Sequence, residues 1–308
     1  MLLKILPADD HRAWKAEAAV KLRIGETGAQ SLASLAPISV PTLLRRTVER
    51  SPDCPALRTR EEDGRHVDWT YSQYYQEVRT VAKAWIALGL EPLHSVSVVA
   101  HPHPRHHISN MAAIHAGAFT AGIYQTNSPA ACEFIARDSR ANIIVVGDTR
   151  QLEKILSIRP NLPDLRAVVL LDGQTDIAGV HSWEEILRLG QESSDQCLEE
   201  RLSKIAINQC CVLSYTSGTT GQPKGVMLSH DNIVFTALQN LRFAELQYGQ
   251  GVALSYLPQS HMAGMMLDQF ICMANASLCC FADKNAITKG EVVLPHLNTN
   301  PELSRNFA

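Results

Sequence analysis

The sequence lacks a strong charge of either sign: its 308 residues carry 28 Lys and Arg against 31 Asp and Glu, a formal net charge of −3. Such a chain spreads no basic field, so nucleic acid is not an expected partner, and any anionic ligand must be held by local groups. No CxxC spacing occurs. The eight cysteines include the adjacent pairs Cys210-Cys211 and Cys279-Cys280, each inside an apolar run, which reads them as reduced core thiols. No stretch approaches the roughly 18 uncharged apolar residues that a membrane-spanning helix needs. The opening MLLKILPADDHRAWK has too short an apolar stretch and too early a pair of acids for a secretory signal. A cytoplasmic chain is expected, with peripheral contact with membranes left open. Internal repeats and low-complexity tracts are absent as well.

What is present is a hydrophobic content of 45%, enough in a chain of this length for a large core and for one large or two moderate domains. Residues 1–40 show no clean periodicity and read as an irregular lead-in. From Val40 to Arg50, Leu43, Leu44 and Val48 mark one helical face. Thr70 and Gln73 offer a capping box for a helix whose apolar side is Tyr74, Val78, Val81, Ala82 and Trp85, with Gly89 placed to end it. Apolar, β-branched strands at 95–100, 142–146 and 167–171 then alternate with helices near 108–118 and 150–158 and one begun by the Ser128 cap and first-turn Pro129, and Ser182 with Glu185 offers a second capping box. Continuous apolar strands separated by amphipathic helices predict an α/β fold, mostly parallel sheets flanked by helices. A polar stretch at 191–208 suggests a junction, which divides the chain into a first α/β subdomain over 41–207 and a second over 208–283. The rhythm is lost in the tail, 284–308. Lys83, Arg137 and Lys154 read as solvated helix charges.

The chemistry concentrates between an apolar strand, Cys210 to Tyr215, and a helix from about His230. Thr216-Ser217-Gly218-Thr219-Thr220-Gly221-Gln222-Pro223-Lys224-Gly225 holds three glycines, four hydroxyls and one lysine. Glycines let backbone N–H groups turn toward a phosphate, hydroxyls add donors, and a lysine brings a mobile positive charge. A lone glycine-rich turn is usually only a turn; ten such residues with Lys224 make an exposed phosphate-binding loop the better reading. The GxxxxGK[ST] pattern of P-loop NTPases does not fit, because Pro223 precedes Lys224 and Gly225 follows it. Downstream, SYLPQSHMAG sets His261 at the start of a helix, where it is a hydrogen-bonded cap or a pocket residue. The cluster His101, His103, His106 and His107 contains Pro102, Pro104 and Arg105, lacks any acid or cysteine and shows no zinc spacing, so no metal ligand is assigned.

YTSGTTGQPKGVMLSH closely resembles the phosphate-loop signature of the acyl-adenylate-forming (AMP-binding) superfamily. With YSQYY, GIYQTNSPAAC, QLEKIL, NQCCVLSYTSGTTG and SYLPQSHMAG, the stretch from about 65 to 285 is most similar to the bubblegum group of long-chain fatty acyl-CoA synthetases. The resemblance implies the N-terminal part of the adenylate-forming fold, ATP and Mg2+ as cofactors, and a long-chain fatty acid and coenzyme A as partners of the parent enzyme. It also implies a peripheral station at the endoplasmic reticulum membrane. By the same resemblance Thr216, Ser217, Gly218, Thr219, Thr220, Gly221 and Lys224 bind the nucleotide, Lys224 contributes most to catalysis within the loop, and His261 lines the acyl and adenylate pocket. These residues are expected to face one cleft. Met262, Met265 and Met266 offer soft apolar surface suited to a lipid tail, although methionines so spaced are more often core.

The family's aromatic-Gly-x-Thr-Glu segment, ribose-binding aspartate, hinge and lid lysine have no counterpart after Phe281. Two readings follow. The chain is the N-terminal part of an ATP-dependent long-chain fatty acid–CoA ligase, inactive alone, or it is a noncatalytic module that binds partners or competes with such an enzyme.

Overall fold

The computed structural model describes residues 4–7, 19, 36–60, 64–216 and 222–282; most of the expected lead-in and the whole tail over 284–308 lie outside the described residues. Helix α1 (Val40–Arg50) leads to strands β1 (Pro55–Arg60) and β2 (His66–Thr70), then α2 (Tyr71–Ala87). There follow β3 (Ser95–Val99), α3 (Pro104–His115), β4 (Phe119–Gly122), α4 (Pro129–Asp138), β5 (Ala141–Val146), α5 (Thr149–Ile158), β6 (Ala167–Leu170) and β7 (Val180–Ser182). Next come α6 (Trp183–Glu192), α7 (Asp195–Lys204), β8 (Cys210–Thr216), β9 (Lys224–Ser229), α8 (His230–Ala244) and β10 (Val252–Ser255). A last helical run joins α9 (Met262–Gly264), a π-helix (Met265–Ile271) and α10 (Cys272–Asn275), before β11 (Leu278–Phe281).

Helix starts follow local chemistry. Thr70 and Gln73 form the expected capping box of α2, Ser182 and Glu185 that of α6, and Ser128 caps α4 with Pro129 in its first turn. Such a cap is worth about 1 kcal/mol.

Two sheets result. The larger has seven strands in the order β7-β6-β5-β3-β4-β8-β9, all parallel except β9, which runs antiparallel to β8. The smaller has the order β10-β11-β1-β2, in which β11 pairs in parallel with both β10 and β1. The junction expected near residue 208 is therefore not a boundary between sheets. Strands β8 and β9 complete the larger sheet, while β1 and β2, from the beginning of the chain, share the smaller one with β10 and β11.

Alternation along the central strands separates two cores. Val96, Val98, Ile143 and Val145 pack on one face with Val78, Val81 and Trp85 of α2 and Met111 of α3. Val99, Ile144 and Val146 pack on the other with Ile135 of α4 and Leu152 and Ile155 of α5. The first core continues to Leu57, Cys279 and Phe281 of the smaller sheet, so α2 and α3 lie between the sheets. All eight cysteines are thiols, and burial pushes Cys210 up to about 12 and Cys280 up to about 11.

Candidate active site

The buried strand before the glycine-rich segment forms as expected, but the segment does not lead directly into a helix. After Thr216 the chain returns as β9, which pairs Tyr215 with Gly225 and Thr216 with Lys224. Strands β8 and β9 thus form an antiparallel pair at the edge of the larger sheet, and Lys224 and Gly225 belong to a strand rather than to a loop. An exposed Gly-Val-Met run carries too little apolar alternation to announce an edge strand. Thr216 and Lys224 are both exposed at the hairpin mouth, and the Thr216 hydroxyl donates to the Lys224 carbonyl at 3.5 Å. Ser217, Gly218, Thr219, Thr220 and Gly221 lie outside the described residues.

The hairpin stands at one end of the sheet for a topological reason. Strands β4 and β8 are parallel neighbours, Thr120 opposite Val212 and Ala121 opposite Leu213, so the chain leaves both at the same edge. Gly122 closes β4 with the backbone of Ser260 against it; a Cβ there would stand 2.5 Å from the Ser260 Cα. The turn that carries His261 therefore crosses the carboxyl end of β4, beside the strand that feeds the glycine-rich tip. Open α/β sheets bind ligands at that end of their strands.

His261 is exposed and caps α9, its Nδ1 accepting from the Ala263 N–H at 3.1 Å. The cap engages one ring nitrogen and leaves Nε2 available to a second partner, so the two readings of this residue are compatible. Beneath it, Gln259 is fully buried and ties four segments together. Its amide oxygen accepts from His107 Nε2 at 3.0 Å, and its amide nitrogen donates to Asp268 at 2.8 Å and to the Ser255 hydroxyl at 3.2 Å. Burial raises the Asp268 carboxyl to about 6 against the opposing hydrogen bonds from Ser255 and Gln259. Asp268 and Gln269 both sit in the π-helix, a rare geometry frequent at functional sites. Neither Gln259 nor Asp268 was legible as a site residue; a glutamine in a turn and an aspartate in an apolar helix carry no motif.

The histidine cluster has structural work. His103 caps α3 by accepting from Arg105 N–H at 3.1 Å, His106 meets the His101 carbonyl at 3.3 Å, and His107 packs edge-on against Phe281. Burial lowers His106 to about 4 and His107 to about 3, so both are neutral. Among the described residues no group of three His, Cys, Asp or Glu is arranged to hold a metal ion.

Two lysines read as solvated are not. Lys154 donates to the carbonyls of Gln125 at 2.8 Å and Asn127 at 3.0 Å, pinning the turn after β4 at the same sheet edge. Lys83 is buried against α7 and pairs with Asp195 at 3.1 Å. Arg137 remains exposed, 3.8 Å from Glu133.

A mostly parallel sheet with helices on both faces, and the glycine-, hydroxyl- and lysine-rich sequence that follows its β8 strand, define an α/β protein of the nucleotide-binding kind of architecture. The family described as AMP-binding enzyme matches residues 44–297, and the chain belongs to it. Over 303 residues it is 39% identical to the long-chain-fatty-acid–CoA ligase ACSBG2 of Xenopus laevis, covering 96% of this chain and 40% of that protein. Against the ACSBG1 ligase of Rattus norvegicus the identity is 39% over 298 residues, 94% of this chain and 40% of the relative. The chain thus spans about 40% of the length of the curated relatives it matches. Among solved structures, a putative long-chain-fatty-acid CoA ligase from Rhodopseudomonas palustris superposes with a TM-score of 0.70 at 17% identity, over 85% of this chain and 62% of that one. A fatty acyl-adenylate ligase from L. pneumophila, in complex with acyl adenylate and pyrophosphate, gives 0.67 at 18% identity, over 88% of this chain and 43% of that one. These place the fold as the N-terminal portion of adenylate-forming enzymes.

Proposed function

We propose that this chain supplies the phosphate-binding edge and part of the acyl and adenylate pocket of a long-chain fatty acid–CoA ligase. The observation that carries the reading is the hairpin that presents Thr216 and Lys224 at the mouth of a glycine-rich tip, on the strand next to the one that Ser260 and His261 cross. In the proposed reaction a fatty carboxylate oxygen attacks the α-phosphorus of ATP, the bond to the bridging oxygen breaks, and pyrophosphate departs. The acyl-AMP then yields its acyl group to the coenzyme A thiolate, which expels AMP.

The first step is slow in water because two anions must meet and a third, more highly charged, must leave. Preorganised donors aimed at the phosphates offset that charge where it develops. Thr216, Ser217, Thr219 and Thr220 would donate hydroxyls, Gly218 and Gly221 would let backbone N–H groups approach, and Lys224 would bring its ammonium to the outer phosphates. Mg2+ would neutralise phosphate charge when bound with the nucleotide. The exposed Nε2 of His261 would meet the polar end of the acyl adenylate, with Met262 and Met266 beside it.

The test is a chimera in which this chain replaces the matching segment of the Xenopus ligase. It should catalyse palmitate-dependent exchange of labelled pyrophosphate into ATP. A folded chimera that binds ATP without palmitate-dependent exchange would overturn the proposal.

A further inference from the structure

Tyr215 is the last buried residue of β8, and its hydroxyl donates to Asp138 Oδ2 at 2.6 Å. Asp138 ends α4. A carboxylate on the last residue of a helix faces the negative end of the helix dipole, an unfavourable place unless a donor compensates it. The donor here comes from the strand that leads into the glycine-rich tip.

The same tyrosine controls the returning strand. Tyr215 and Gly225 are directly opposed, and a Cβ on Gly225 would stand 3.0 Å from Leu213 Cδ1 and 3.2 Å from Tyr215 Cζ. The phenol ring and Leu213 thus pack on one face of the glycine, whose other side stays exposed. Among the described residues β9 has a hydrogen-bonded neighbour on one side only, so the ladder to β8 and this ring set where Lys224 stands. Burial, and after it the hydrogen bond to Asp138, raise the Tyr215 hydroxyl far above its ordinary value, so it stays a donor.

We infer that Asp138 and Tyr215 are positioning residues for phosphate binding: the carboxylate fixes the phenol, the phenol packs against one face of Gly225, and Lys224 is thereby held at the hairpin mouth. The inference rests on reading the tip as a phosphate site. It assigns to α4, an element with no side chain in the phosphate loop, a part in nucleotide affinity.

The test uses the chain itself, comparing wild type with Tyr215→Phe, Asp138→Ala, Asp138→Asn and the Tyr215→Phe/Asp138→Ala double variant. Two quantities are read: the Kd for magnesium-ATP from 31P line broadening, and deuterium uptake of the peptide over 222–229. Either single variant should raise the Kd at least threefold and speed exchange in that peptide while leaving peptides of β5 and β6 unchanged. The double variant should be no worse than the singles, because both remove one interaction. Asp138→Asn, whose amide oxygen still accepts, should stay near wild type. A Kd and an exchange rate indifferent to Tyr215→Phe, or additive effects in the double variant, overturn the brace and leave the phosphate site standing. Failure of the wild-type chain to bind magnesium-ATP overturns the phosphate reading and the brace together.

Discussion

Lys224 is exposed on the first residue of an edge strand and buries little, so its value lies in what it can reach. Removing a charge-assisted contact to phosphate should slow adenylation by about tenfold to a hundredfold. In the chimera, Lys224→Ala should show that loss in pyrophosphate exchange with a thermal midpoint within a degree or two of the parent. An unchanged rate at saturating ATP with unchanged ATP affinity would remove the lysine from the phosphate site. Gly122 makes the opposite prediction. Its Cβ position is occupied by the Ser260 backbone at 2.5 Å, and backbone has no rotamer by which to retreat. Gly122→Ala should therefore cost about 1–3 kcal/mol in a urea titration and displace the turn that carries His261; a variant as stable as the parent would show that the turn yields freely.

At the scale of the element, Gly190 near the end of α6 has the backbone of α2 against it, and a Cβ would stand 2.0 Å from the Thr80 carbonyl oxygen. Helix propensity alone favours alanine over glycine by about 1 kcal/mol, yet Gly190→Ala should destabilise the chain, because the two helices must part to admit the methyl. A urea midpoint that rises in the variant would contradict the close packing. Such contacts are what sequence reading misses. Capping boxes at Thr70 and Ser182 were legible because their partners stand three residues apart, and β3, β5, β6 and β8 because apolar runs of that length between helices have few other uses. Helix α7 reads in sequence as part of a polar stretch because its one buried residue is Leu198. Strands β1 and β9 were missed for a related reason: basic PALRTR and exposed KGVMLS find their meaning only in partners from elsewhere in the chain. The motif and the resemblance it carries pointed to Thr216, Lys224 and His261, while the contacts made by Asp138, Lys154 and Gln259 became visible only through distance.

For the whole molecule, the buried histidines set the response to acid. Burial lowers His106 and His115 to about 4 and His107 and His230 to about 3, all from 6.5. Each is neutral when folded and protonated when unfolded between those values and 6.5, so unfolding takes up protons there and stability falls as pH drops. Asp268 opposes them: raised from 3.8 to about 6, it holds a proton in the folded state that the unfolded state releases. The histidines outnumber it, and these five groups give a net uptake of about three protons on unfolding at pH 5. Urea midpoints measured from pH 7 to pH 5 should fall accordingly, and a flat profile would mean that these histidines are not buried as described. The smaller sheet has a different consequence, for the order in which the chain is made. Leu57 of β1 pairs with Cys279 of β11, so a strand that leaves the ribosome early waits for one synthesised more than two hundred residues later. At about 5–20 residues per second, the β1–β2 hairpin spends roughly ten to forty seconds with an open edge, long enough for a chaperone to find it and for a neighbouring nascent chain to compete for the place.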